Sequence, residues 1–536
     1  MAARIPRPDP RAEDARAACR IGRSALRIDE ILALARGALR AEIDPDPGYR
    51  AWLERGRRAL EQAQARGEPV YGVTTGVGAS VGNAIPEALR GELPQNLFRF
   101  HGCGTGRILD ENEAAAVVAV RLVSLARGHS GVRAVLLERL CALLNQRLLP
   151  RIPAEGSVGA SGDLTPLSYL AAALAGEREV TLGGRVLPAD QALLEAGLEP
   201  LALAPKESLS LMNGTSVMTA LGCLAFAGAR RLARLAAAQT AAVVEATRGN
   251  PGHFDARIFE LKPHPGQVRC AAWIREDLGL AAGARRAAPA RLQDRYSLRC
   301  APHVIGVLVD ALELARRTLE IELNSVDDNP LVDPESGEIL HGGNFYGGHV
   351  CFAMDGLKAA LASVADLLDR QLVLLCDPAT SAGLPENLVA SGNLTHHGFK
   401  AMQISASALT AEALKLSMPA SAFSRSTESH NQDKVSLGTI AARDCLRVLE
   451  LAETVAAIGL LASCQALDLR DGGNLRGRIP ALREAVRKEV PPLSEDRRQD
   501  RDIERVLQLL RADSLPIGAF EPEGGLFGET AAPDPR

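Results

Sequence analysis

The stretch after Thr215, SVMTALGCLAFAGARRLARLAAAQTAAVVEATR, contains no proline and is broken only at Gly249 and Pro251. With Thr215 placed to cap it, it reads as one helix of roughly 30 residues, about 45 Å long at 1.5 Å per residue. Its alanine-rich surface is apolar almost all round, so it has to be buried by other helices rather than half exposed. Comparable runs are HVIGVLVDALELARRTLEIEL, CFAMDGLKAALASVADLLDRQLVLL, GFKAMQISASALTAEALKL and KVSLGTIAARDCLRVLELAETVAAIGLLASCQAL. Asp110 and Glu113 form a capping-box pair ahead of a further helix that stops at Gly128. Strand-like alternation is confined to short pieces such as EREVTLGGRVL. These features predict an all-α chain built on a long-helix bundle, with self-association covering the remaining apolar faces. The expected organisation is a frayed N-terminus (1–24), a loop-rich N-terminal domain (25–210), the bundle (211–515) and a C-terminal tail (516–536), without internal repeats.

Composition narrows the function. Sixty-one Lys+Arg against 65 Asp+Glu, net charge −4, with no basic run, provides no electrostatic footprint for nucleic acid or an anionic membrane. A small molecule is the expected partner. The ten cysteines are scattered without a CxxC pair or a histidine cluster, so neither a metal site nor a disulfide framework is predicted. The cysteine usage and the missing apolar signal or spanning segment point to the cytoplasm.

Residues 156–168, GSVGASGDLTPLS, place small residues where a helix is about to begin. Thr165 and Pro166 read as N-cap and first-turn proline of a helix ending at Gly176. Ala160-Ser161-Gly162 then lies beside free N–H groups and a dipole that favour negative charge, which suits an electron-accepting group. The tripeptide alone has little meaning, since it recurs at Ala390-Ser391-Gly392.

The stretch GSVGASGDLTPLS closely resembles the signature of the histidine and aromatic amino acid ammonia-lyases, and the resemblance extends over roughly residues 25–515. It implies the long-helix bundle of the ammonia-lyase (fumarase/aspartase-like) type. It also implies that Ala160-Ser161-Gly162 cyclises autocatalytically to 4-methylidene-imidazol-5-one (MIO). The Gly162 nitrogen would attack the Ala160 carbonyl, with loss of two waters, one carrying the Ser161 oxygen, and no metal or diffusible cofactor would be needed. Asp163 would help polarise the loop.

Further residues take roles from the same resemblance. Tyr71 in YGVTTGVG is implied as the base that removes the substrate's β-proton, its pKa depressed for that task. Asn213 in LMNGTSVM would contact MIO or the substrate amine. In LQDRYSLRC, Gln293, Tyr296 and Arg299 are spaced three and three, which puts them on one side if the segment is helical. Arg299 would clamp the substrate carboxylate and Tyr296 would support MIO or the proton relay. Asn344 and Phe345 in HGGNFYGG, and Glu428, Asn431 and Gln432 in ESHNQDKVSLG, match pocket positions; Asn329 falls in a further matching segment. Lys400 and Glu412 match too, and each is equally readable as a helix-surface charge. Ser208, Ser210 and Val77 depart from the family pattern without removing a catalytic group.

Phe100-His101 in NLFRFHGCGTG is the pair expected to select the substrate ring. His101 is similar to histidine lyases and some bacterial tyrosine lyases, and Phe100 to phenylalanine lyases. The resemblance thus implies elimination of ammonia from an aromatic amino acid, with tyrosine to trans-p-coumarate ahead of histidine or phenylalanine. It also implies a homotetramer whose sites draw on several chains. Three alternatives stay open: an aminomutase using the same residues, a fumarase or aspartase relative, whose GS-x-x-M-P-x-K-x-N loop is missing, and a helical scaffold that never cyclises.

Overall fold

The computed structural model describes residues 16–280, 291–470 and 475–520, and its backbone is mostly helix. Residues 1–15 and 521–536 of the expected tails lie outside the described residues. Within the expected N-terminal tail, Ala18–Ile21 form a strand parallel to Arg40–Ile43. The chain divides into two compact units. Of the described residues, the first contains those up to Leu224, 316–354 and 419–443; the second contains those within 225–315, 355–418 and from Asp444 on.

In the first unit, four helices frame the region of interest: α1 (Leu93–His101), α2 (Glu111–Ala126), α3 (Leu164–Leu174) and α4 (Glu207–Met212). The expected capping box starts α2: the Asp110 carboxylate accepts from the amides of Asn112 and Glu113, and the Glu113 carboxylate accepts from the Asp110 amide. Every residue from Glu113 to Ala126 is buried, as an all-round apolar helix requires. The strand-like piece forms an antiparallel hairpin, Glu179–Leu182 with Arg185–Pro188, and Leu148–Pro150 extends it to three strands.

The helix α5 (Ser216–Ala246) has 31 residues, so it is about 46 Å long, close to expectation. It is followed by α6 (Ala301–Leu323), α7 (Gly348–Cys376), α8 (Lys400–Leu416) and α9 (Gly438–Leu469). In the second unit, Leu232, Ala233, Leu235, Ala236, Ala237 and Ala241 of α5 are fully buried. The small alanines let neighbouring helices approach closely: Gly228 of α5 meets the Leu449 side chain of α9. Val307, Leu314, Ile404 and Met418 remain largely exposed.

Two caps differ from expectation. Helix α3 begins at Leu164, with Asp163 rather than Thr165 in the N-cap position and no side-chain cap bond. Thr215 does precede the first residue of α5, but its hydroxyl contacts the carboxylates of Glu322 and Asp327 instead of capping. The free amides of Val217 and Met218 are taken by Asp163 Oδ2, at 2.9 and 3.0 Å. The residue that ends the glycine loop therefore caps a helix distant in sequence.

Candidate active site

Backbone geometry bends the tripeptide sharply. Ser161 (φ +50°) and Gly162 (φ +76°) lie in the left-handed region, unusual for a serine and natural for a glycine. Gly162 is also in close contact: a Cβ there would fall 2.1 Å from the carbonyl oxygen of Gly214. The two segments are stitched together by Asp163 N donating to Gly214 O (2.7 Å) and Gly214 N donating to Ser161 O (3.3 Å). Asn213 Nδ2 also donates to Ser161 O at 3.3 Å, and Gln432 Nε2 donates to Ser161 Oγ at 3.3 Å. The expected Asn213 and Gln432 thus meet the tripeptide directly. Asn213 is buried, and its Oδ1 has no hydrogen-bond partner among the described residues.

Beneath this loop lies a buried polar network. Asp163 is fully buried, and Thr439 Oγ1 donates to its Oδ1 while α5 amides occupy Oδ2. Burial pushes its carboxyl up to about 6 against these donors, with Asp327 adding to the rise. Arg121, in the middle of apolar α2 and completely buried, pairs with Asp327 at 2.9 Å and donates to the Asn213 carbonyl at 3.1 Å. Burial likewise raises Glu322 to about 7. Lys206, also fully buried, donates to Asp328 (2.6 Å) and to Ser210 (2.8 Å), so the departure at Ser210 provides a buried ammonium with a second acceptor. None of Arg121, Glu322, Asp327 or Thr439 was expected from sequence motifs. The visible signal was Arg121 in the middle of the apolar run AAAVVAVRLVSLA.

The Tyr71 hydroxyl accepts from the Gly78 amide at 2.8 Å, and its own amide donates to His341 Nε2 at 3.4 Å. Glu428 accepts from the Ala79 amide (2.9 and 3.1 Å), so the Tyr71 loop and the 424–437 loop share contacts. Glu428, Ser429 and His430 are three successive left-handed residues, and the Asn431 amide closes that turn on the Glu428 carbonyl. The expected depression of the Tyr71 pKa is not found in the single chain. Burial raises it, Glu428 raises it further, and the Gly78 N–H opposes both. Asn344 donates to the Val326 carbonyl, and Phe345 is half-buried in the same loop.

His101 is the last residue of α1, a helix that packs against α3 and α4, the helices on either side of the tripeptide and Asn213. Its Nδ1 lies 2.9 Å from the Leu97 carbonyl, which can only accept, so Nδ1 carries the proton and Nε2 is left as an acceptor. Burial lowers the His101 pKa, favouring the neutral ring. Phe100 is 59% exposed, its ring 4.1 Å from that of His101.

Gln293, Tyr296, Arg299, Lys400 and Glu412 belong to the second unit. Only Tyr296–Arg299 is helical, a single turn, so the expected one-sided spacing with Gln293 does not form; Gln293 precedes the turn and is exposed. The Arg299 guanidinium lies 4.6 Å from the Tyr296 ring centre, and its Nε donates to the Asp294 carbonyl. Tyr296 is 70% exposed. Glu412 accepts from Arg447 on the surface, and Lys400 opens α8, exposed.

Comparison with known proteins agrees with this geometry. Residues 26–489 match the family described as aromatic amino acid lyase. A histidine ammonia-lyase of Gloeobacter violaceus is 42% identical over 93% of this chain and 97% of its own length. An MIO-dependent tyrosine 2,3-aminomutase of Streptomyces globisporus is 41% identical over 90% of this chain and 92% of its own. The crystal structure of the tyrosine aminomutase from that organism superposes with a TM-score of 0.86 at 38% identity, covering 93% of this chain and 97% of that one.

Proposed function

The chain belongs to the aromatic amino acid lyase family, and from that premise we propose that it removes ammonia nonoxidatively from an aromatic L-amino acid, converting L-tyrosine to trans-p-coumarate and ammonium. The observation that carries this reading is the bend at Ser161-Gly162 beneath Asn213. Left-handed backbone at both residues suits a Gly162 nitrogen turning back on the Ala160 carbonyl carbon, and the Gly162 amide donates to no carbonyl among the described residues. Forming that N–C bond and expelling two waters, one with the Ser161 oxygen, gives MIO. When present, MIO supplies an electrophile for the substrate amine.

The chain's own groups do the rest. The unpaired Asn213 Oδ1 is an acceptor available to an ammonium. The Tyr71 oxygen takes the β-proton, and Gln432 holds the Ser161 end of the loop. Arg299 clamps the carboxylate with Tyr296 beside it, and we assign both to a neighbouring chain of a homotetramer, in line with the exposure of Tyr296 and of the apolar helix faces. Asn344, Phe345, Glu428 and Asn431 complete this chain's share of the pocket in this reading, and Gln293, Lys400 and Glu412 are assigned with Arg299 to a neighbouring chain.

Neutral His101 favours tyrosine: its Nε2 accepts from a phenol, and Phe100 offers a wall for a benzene ring. Histidine is the second reading, because an imidazole N–H also donates to Nε2 and histidine ammonia-lyases are among the relatives. Purified protein is incubated separately with L-tyrosine, L-histidine and L-phenylalanine, the conjugated acid is read by near-UV absorbance, and β-amino acid is sought by chromatography. p-Coumarate from tyrosine, with an intact mass lighter by two waters, is the expected result. β-Tyrosine as main product moves the assignment to an aminomutase. Full sequence mass with no conjugated acid overturns the reading.

A further inference from the structure

The segment carrying Phe100 and His101 ends in Gly102-Cys103-Gly104, a flexible exit for a residue that must hold a ring nitrogen in place. Among the described residues, three polar side-chain contacts to residues 169–178 help secure it. Arg99 pairs with Glu177 (2.6 Å), but both side chains are substantially exposed and the pair is screened. Arg178 Nη2 donates to the Gly102 carbonyl at 3.0 Å, and the Tyr169 hydroxyl donates to the Gly104 carbonyl at 3.3 Å. The Arg178 guanidinium lies 4.5 Å from the centre of the Tyr169 ring, and Tyr169 is buried.

The backbone of Arg178 shows the cost of this arrangement. Its φ is +66°, left-handed, directly before the strand Glu179–Leu182. A glycine would adopt that conformation freely, and an arginine does not. Gly102 is matched to it: a Cβ there would fall 1.7 Å from Arg178 Nη2 and 2.4 Å from its Cζ. An unfavourable backbone at 178 and a missing side chain at 102 are both explained by a single contact, made one residue beyond His101.

We propose that Arg178, stacked on Tyr169, is a positioning residue that fixes the C-terminal end of helix α1 and so holds the His101 ring nitrogen where it discriminates the far end of the substrate ring. The proposal rests on the reading of His101 as the ring-end acceptor. Arg178 touches no substrate; it acts on the carbonyl that follows His101.

The test uses Arg178→Gly, which relieves the backbone and removes the clamp, Gly102→Ala, which drives the guanidinium away, and the double variant. For Arg178→Gly the expected result is unchanged helical circular dichroism, retained two-water mass loss and a melting temperature no lower than wild type. Its kcat/KM for tyrosine falls about tenfold, the equivalent of one misplaced hydrogen bond, while kcat/KM for phenylalanine, which has no donor for His101, stays within about twofold. Gly102→Ala shifts the ratio the same way, and adding Arg178→Gly brings no further loss, since the clamp is already broken. Hydrogen exchange across 98–105 is faster in each variant than in wild type. An unchanged tyrosine/phenylalanine ratio in Arg178→Gly, a uniform loss on both substrates, or unchanged exchange overturns the proposal. If wild type converts no aromatic amino acid, the functional reading fails, and exchange alone decides whether the clamp exists.

Discussion

Thr215 Oγ1 lies 2.7 Å from Glu322 Oε1 and 2.9 Å from Asp327 Oδ2. A hydroxyl has one proton to donate, so one of these carboxyls must bring its own. Asp327 already faces Arg121 (2.9 Å) and the Thr215 amide (2.7 Å), and burial raises the carboxyl of Glu322, so the proton is assigned to Glu322. Burial is the main cause of the rise of Glu322 from 4.5 to about 7; Asp327 and Asp163 add to it and the Thr215 hydroxyl opposes. An unfolded glutamate ionises near 4.3, so between there and about 7 the folded chain holds one proton more than the unfolded chain. Stability from this group is complete below that window and falls by about 1.4 kcal/mol per pH unit across it, ~4 kcal/mol at most. Glu322→Gln keeps a neutral donor toward Thr215 and cannot titrate. Relative to its difference from wild type at pH 5, the variant is therefore expected to gain ~1–3 kcal/mol by pH 8.5, the range reflecting coupling to Asp163. Urea unfolding of the intact assembly at fixed protein concentration, pH 5 to 8.5, measures this. Parallel stability–pH curves for the two proteins, or a variant that loses ground as pH rises, would refute the proton assignment.

Tyr71→Phe removes only the oxygen that accepts from Gly78; turnover is expected to fall by a factor of about 10²–10⁴ with the two-water mass loss intact, and normal activity excludes Tyr71 as base. Because burial and Glu428 hold the Tyr71 pKa above its ordinary value, the phenolate fraction is small at neutral pH and grows with alkalinity, so kcat should rise from pH 7 toward pH 10; a flat profile contradicts this role. Gly162→Ala forces a Cβ to within 2.1 Å of the Gly214 carbonyl and gives left-handed backbone to an alanine, at about 1–2 kcal/mol for the backbone alone. That variant is expected to keep its full sequence mass, and cyclisation in it would show that the contact with Gly214 does not govern the bend.

Local rules reached some of this molecule and stopped at definite places. The capping box of Asp110 and Glu113 and the long rod after Thr215 were legible because each is decided by neighbours in sequence. The cap expected at Thr215 fails for a physical reason: a carboxylate from another segment, Asp163, takes the first amides of α5, and the local hydroxyl is drawn to Glu322 and Asp327. The Gln293 spacing failed because three-residue periodicity predicts a shared face only once a helix exists, and here the helix is one turn.

The buried network shows what was readable and unused. A guanidinium in the middle of an apolar helix cannot be left unpaired, so Arg121 announces a buried carboxylate even though 1.5 Å per residue and 3.6 residues per turn do not say where that partner is. Its partner, Asp327, lies over two hundred positions away beside Asp328, which neutralises buried Lys206 in the same manner. The pair of acids in LNSVDDNPLVD is thus complementary to two basic side chains embedded in apolar surroundings. Matching lone buried charges of opposite sign along the sequence links α2, α4 and the 327–328 turn. Arg121 also donates to the Asn213 carbonyl, so that match would have led from the helical core to the backbone on which Ser161 and Gly162 rest.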